Sequence, residues 1–117
     1  PSQLRAAGGR VLVAFVAGDD PETGESWCGD CRRAVPLALA AAQEAGVAGV
    51  LLVDVGARLQ WKDPDHPLRR DAQAALSCVP TFVWWTAAGP GARLGPEVEK
   101  LEDEAAVRAA LADFIAA

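Results

Sequence analysis

Two apolar runs with a helical stretch between them constrain this chain most. Residues 11–16 (VLVAFV) and 47–55 (VAGVLLVDV) are of strand length and rich in β-branched side chains, the pattern of strands buried on both faces. Between them, from about Gly29 to Ala45, the residues Ala34, Leu37, Ala38, Ala41 and Ala45 recur at helical spacing, and Gly46 is a natural stop. Pro36 falls inside that helix and predicts a kink, because it lacks an N–H and crowds the preceding turn. A strand, a helix and a second strand in this order form a crossover unit whose strands run parallel. Residues 17–26 and 56–67 read as loops, 68–76 as a short helix and 81–86 (TFVWWT) as a third strand. A turn at AAGPG, a short edge strand within 92–101 and a helix over 103–116 complete the order. The apolar side of that last helix would be Ala106, Val107, Ala110, Leu111, Phe114 and Ile115. The expectation is one α/β domain over residues 1–117, a central mixed β-sheet flanked by helices.

Composition narrows the partners. With 117 residues, 51% of them hydrophobic, the chain can bury a core without staples. The net charge of -5 argues against nucleic acid and anionic membranes, which call for a basic surface. No apolar run approaches the ~20 residues of a membrane span. Residues 1–10 (PSQLRAAGGR) lack the apolar stretch of a secretory signal. Three cysteines are too few, and odd in number, for a secreted disulfide scaffold. They suit a reducing compartment, and a cytoplasmic monomer is the expectation.

Trp27-Cys28-Gly29-Asp30-Cys31 lies at the junction of the first strand unit and its helix. A cysteine near a helix N-terminus faces unpaired N–H groups and the positive end of the helix dipole, which favour a thiolate. The second cysteine, one turn along the same face, can close a disulfide with it. A thiolate with its own resolving thiol can attack a substrate disulfide, form a mixed disulfide and release itself. Cys28 is therefore the candidate nucleophile and Cys31 the candidate resolving thiol. Asp30 opposes the thiolate as a like charge, while the helix terminus favours it. Trp27 is a candidate apolar platform beside the sulfur.

Pro36 stands five residues after Cys31, and Val79-Pro80-Thr81 leads into the third strand. With the C-x-x-C pair, these residues resemble the thioredoxin superfamily, in which a kink proline and a cis-proline facing the cysteines take those places. The tract Trp61-Lys62-Asp63-Pro64, followed by Arg69, and the long loop before Trp27 resemble more closely the Clot family of thioredoxin-related proteins. That family carries Trp-Cys-Pro-Asp-Cys, so Gly29 departs from it and loosens the loop between the cysteines. The resemblance spans roughly residues 11–115. It implies a thioredoxin fold and a cytosolic disulfide reductase acting on small or protein disulfides. It also implies no tightly bound cofactor, with electrons arriving from NADPH through a thioredoxin reductase-like donor. Pro80 would then hold the Val79 backbone edge open to an incoming peptide. Ala14 falls where ordinary thioredoxins carry a buried acid, so the proton route would have to run through Asp30 or water.

Other readings of the same residues stay open. Gly-Asp between the cysteines is not the common reducing pair, which leaves a disulfide oxidase or isomerase as an alternative. Cys28, Cys31, Cys78 and His66 could supply four zinc ligands, although no second close pair exists and no metal is expected. A redox-inert adaptor would have no use for the pair. Cys78, two residues before Pro80, is either a secondary redox thiol or a small buried residue. His66 reads as a surface residue, and Trp84 and Trp85 as packing residues on opposite faces of a strand.

Overall fold

A computed structural model describes residues 9–117, so most of the segment read for a secretory signal lies outside the described residues. Strand β1 (Arg10–Val16) leads through the 17–26 loop into helix α1 (Gly29–Glu44), and strand β2 (Val50–Asp54) follows. Two short helices, α2 (Arg58–Lys62) and α3 (Pro67–Arg70), precede strands β3 (Thr81–Thr86) and β4 (Gly89–Leu94). Helices α4 (Pro96–Glu99) and α5 (Glu104–Ala116) close the chain. The four strands lie in the order β2-β1-β3-β4. β1 and β2 are parallel, and both other pairs are antiparallel. The expected mixed sheet flanked by helices is what forms.

Alternation along β1 divides the core in two. Leu12 and Ala14 pack with Phe82 and Trp84 against Ala34, Ala38 and Ala42 of α1 and Val107, Leu111 and Ile115 of α5. Val11, Val13 and Phe15 point the other way, to Val83, Val55, Trp61, Leu76 and Val79. Cys31 belongs to this second cluster, so the site side of the molecule has an apolar floor of its own. Small alanines on the inner face of α1 let it lie close to the sheet. The helix runs through Pro36 and ends in paired bonds from Gly46 N to Gln43 O and from Val47 N to Ala42 O, with Gly46 at φ +70.

Five expectations need correction. β2 is shorter than residues 47–55 and is not buried on both faces: Leu51 is 41% and Leu52 49% exposed. Among the described residues β2 is one of the two edge strands, with no strand on its outer side, and its faces are thinly covered. The 56–67 segment is not all loop, and the 68–76 helix is cut to α3, because the Asp71 carboxylate accepts from Gln73 N and Ala74 N and turns the chain. The edge strand begins earlier, at Gly89, and residues 96–99 are helical instead, with Pro96 in the first turn. His66 is half-buried and hydrogen-bonded rather than free on the surface. Its Nε2 lies 2.7 Å from Val55 O, its Nδ1 accepts from Leu68 N, and its ring meets Trp61 edge-on.

Trp84 and Trp85 do face opposite sides. Trp84 packs on Phe114 in the α1–α5 core, and Trp85 lies against Phe15 on the other face.

Candidate active site

Cys28 is the N-cap of α1, in extended conformation, so its side chain turns back over the first helical turn. Its Sγ accepts from the Cys31 backbone N–H at 3.3 Å and lies 3.6 Å from Val79 O. Ser26 prepares this turn: its Oγ donates to Ala17 O and accepts from Cys28 N. Cys28 is half-buried and Cys31 is buried. The Val79-Pro80 peptide is cis, and the Val79 carbonyl faces Cys28.

The two thiols differ sharply in acidity. A hydrogen bond from the Cys31 side chain lowers the Cys28 pKa to about 7, from 9.0, with help from the Cys31 and Asp30 backbone N–H groups. Burial and the Asp30 charge oppose this shift. Cys31 is pushed strongly upward, first because it is the donor to Cys28 and then because it is buried. One thiol is thus poised to be thiolate and exposed enough to attack, while its neighbour holds the proton in reserve.

Asp30 pairs with Arg33, whose guanidinium also reaches Leu101 O and Glu102 O. Its charge is therefore partly neutralised and tied to the α4–α5 connection. Gly29 is exposed, and a Cβ there would meet nothing nearer than Arg32 Nη2 at 3.6 Å. Trp27 is half-buried, and its indole N–H donates to Gly56 O at 2.9 Å. A groove of about 630 Å³ lies beside it, with Asp19, Asp20 and Glu25 on its loop wall and Arg58 and Leu59 opposite. A second groove, of about 420 Å³, reaches Cys31 between Val16, Val35, Pro36 and Leu52.

Cys78 directly precedes Val79, whose carbonyl faces Cys28. It is buried with its Sγ 3.6 Å from Thr81 Oγ1, near Gly95, and burial raises its pKa. The Trp-Lys-Asp-Pro tract is anchored through Trp61, which belongs to the same apolar cluster as Cys31. Trp61 is buried beneath the Arg69 guanidinium, 3.8 Å from its ring centroid, and Arg69 also donates to Trp61 O and Ser77 O. Among the described residues no group of three or more His, Cys, Asp or Glu side chains could hold a metal ion. Ala14 is buried in the α1–α5 core with no carboxylate in its place.

A family model, thioredoxin domain-containing protein 17-like thioredoxin domain, matches residues 3–114. The chain belongs to that family. It is 37% identical over 113 residues to the thioredoxin-like protein Clot of Oryza sativa subsp. japonica, covering 87% of this chain and 81% of the relative. It is 40% identical over 75 residues to the Arabidopsis thaliana Clot protein, covering 63% of this chain and 56% of that one. Solved thioredoxins share the fold. Fasciola hepatica thioredoxin superposes with a TM-score of 0.53 at 22% identity, covering 93% of this chain and 84% of that one. The germline-specific thioredoxin Deadhead of Drosophila melanogaster gives 0.54 at 19% identity, covering 96% and 88%. A thioredoxin domain of the 17-like family with Cys28 and Cys31 at its first helix is of the thiol–disulfide oxidoreductase kind.

Sequence reasoning missed Ser26, Gly56, Arg33 and Arg58. Ser26 had a signal, since a serine two residues before a helix N-cap suits a turn. Arg58 had none, because its partner Trp27 is 31 residues away in sequence.

Proposed function

We propose that this protein is a disulfide reductase. The Cys28 thiolate attacks one sulfur of a substrate disulfide, forms a mixed disulfide and expels the first substrate thiolate, which takes up a proton. Cys31 then loses its proton to solvent and attacks Cys28 Sγ, breaking the mixed disulfide and expelling the second substrate thiolate, which takes up a proton from solvent. Two electrons and two protons have passed to the substrate, and a Cys28–Cys31 disulfide remains. A dithiol donor of the thioredoxin reductase type, drawing on NADPH, returns the pair to the reduced form. The substrates are small or protein disulfides, and the protein works as a cytoplasmic monomer.

The observation that carries this reading is the unequal pair: a half-buried Cys28 with pKa about 7 beside a buried Cys31 that donates to it. Val79 O, facing Cys28, supports docking of an extended substrate backbone along that edge. Trp27, Gly29, Asp30 and Pro80 shape the surround and take no part in bond exchange.

The test equilibrates the protein in graded thiol–disulfide buffers and counts alkylatable thiols by mass spectrometry. Reversible loss of two thiols, at Cys28 and Cys31 and at a strongly reducing potential, is expected. Cys28→Ser should abolish disulfide reduction, and Cys31→Ser should trap a mixed disulfide. Loss of the two thiols at an oxidising potential would instead assign an oxidase or isomerase.

A further inference from the structure

We propose that Arg58 is a positioning residue for the thiol pair, acting through Trp27; this rests on Cys28 being the reactive thiol. Arg58 holds the residue before the nucleophile in two ways. Its Nη2 donates to Trp27 O at 2.8 Å, and its guanidinium lies over the Trp27 ring, 5.4 Å from the centroid. The Trp27 indole N–H is held separately by Gly56 O. Trp27 is therefore gripped at its carbonyl, its ring face and its ring nitrogen by one short segment, residues 56–58.

That segment is itself fixed. Gly56 N donates to Asp54 Oδ1 at 2.7 Å, and Ala57 N donates to Gln60 Oε1 at 2.8 Å. Gly56 has φ +100, and a Cβ there would come 2.4 Å from Gln60 Oε1, so the turn admits glycine and little else. Arg58 stands at the start of α2, directly after this turn.

The consequence for chemistry follows from the peptide that Arg58 grips. The Trp27 carbonyl belongs to the peptide whose nitrogen is Cys28 N, and Ser26 Oγ holds that nitrogen from the other side at 3.2 Å. The orientation of this peptide fixes where the Cys28 side chain starts. Its Sγ must point at the Cys31 N–H and at Val79 O together. A small rotation would lengthen both contacts, and a misplaced reacting group loses rate steeply. A guanidinium can donate to a carbonyl and lie on an aromatic face at once; an ammonium cannot do both with the same geometry.

The charged groups around this contact are known. Cys28 is faced by Cys31 and Asp30, and Arg58 shares the groove with Asp19, Asp20, Glu25 and Arg32. Arg32 donates to Ser26 O, and among the described residues Arg58 is the cation that reaches Trp27.

The test uses the full chain with Arg58→Met and Arg58→Lys. Three measurements are made: thermal midpoint, the pH profile of Cys28 alkylation by iodoacetamide, and steady-state reduction of an aromatic disulfide. Both variants are expected to lose about tenfold in kcat/KM, mostly in kcat. Both are expected to move the alkylation midpoint upward while remaining folded. Arg58→Lys keeps the charge and should not rescue. A wild-type alkylation profile in both variants would overturn the proposal, including where the thermal midpoint falls, since a structural role alone leaves Cys28 unchanged. Full rescue by Lys would also overturn it, by reducing the effect to charge. The alkylation profile reads Cys28 whether or not the protein turns over a disulfide, so failure of the reductase reading shows separately, as absent turnover in the wild type.

Discussion

At the scale of single residues, the acidity of Cys28 rests on donors that can be removed one at a time. The largest is the Cys31 side chain. Alkylation of reduced wild-type protein should therefore reach half its maximal rate near pH about 7, well below an ordinary thiol at 9.0. Cys31→Ala removes the S–H donor, so its midpoint should move upward. Cys31→Ser keeps an O–H donor and should move it less. Asp30 acts in the opposite sense, since its charge raises the Cys28 pKa. Asp30→Asn should consequently lower the midpoint, by a modest amount because Arg33 already pairs with the carboxylate. Alkylation rates followed by mass spectrometry across pH 5 to 9 decide the signs of all three shifts (a range of about two units on either side of the expected midpoint).

At the scale of elements, the start of α1 carries a testable weakness. Gly29 is its first helical residue, a position where proline needs no N–H and brings a helical φ. Cys28 before it is already extended, at φ -103 and ψ 115, as a residue preceding proline must be. There is room as well: the nearest atom to a Cβ placed on Gly29 is Arg32 Nη2, 3.6 Å away at the end of a long side chain. Gly29→Pro should stabilise the protein by about 0.4–1 kcal/mol, chiefly by restricting the unfolded chain, as urea denaturation would measure. This element was legible in the sequence because its alanines keep a helical period over about three turns and Gly46 marks its end. The helices α2 and α4 were not, and α3 only as part of a longer helix, since each spans one turn or little more and shows no period. What holds them is contact with distant residues, such as His66 with Val55 O, which local pattern does not record. The thiol pair was legible for the opposite reason, as its chemistry is local in sequence. Its setting, from Ser26 to Arg58, is assembled across loops and was not.

At the scale of the whole molecule, the sheet separates two cores with different tasks. The α1–α5 core binds helices to the sheet, while the opposite core carries Cys31, Trp61 and Val79. Removing bulk from each should have different consequences. Leu111→Ala, in a fully buried position on α5, should cost about 2–5 kcal/mol and lower global stability without altering Cys28 acidity. Arg69→Met is the informative contrast. Arg69 joins Trp61 O to Ser77 O, and so ties the segment after β2 to the loop that delivers the Val79 carbonyl. Its aliphatic stem survives in Met, but two charged donors are lost, at a cost of about 1.5–3 kcal/mol. The loss should be local first. Hydrogen exchange should quicken at Leu76, whose N–H bonds to Leu68 O within this tie, before it changes at Val107, whose N–H is bonded at the start of α5. Equal acceleration at both places would mean that the two cores unfold as one unit and that the Trp61–Arg69 tract stabilises the molecule as a whole. Selective acceleration at Leu76 would make it a brace for the wall of the active site.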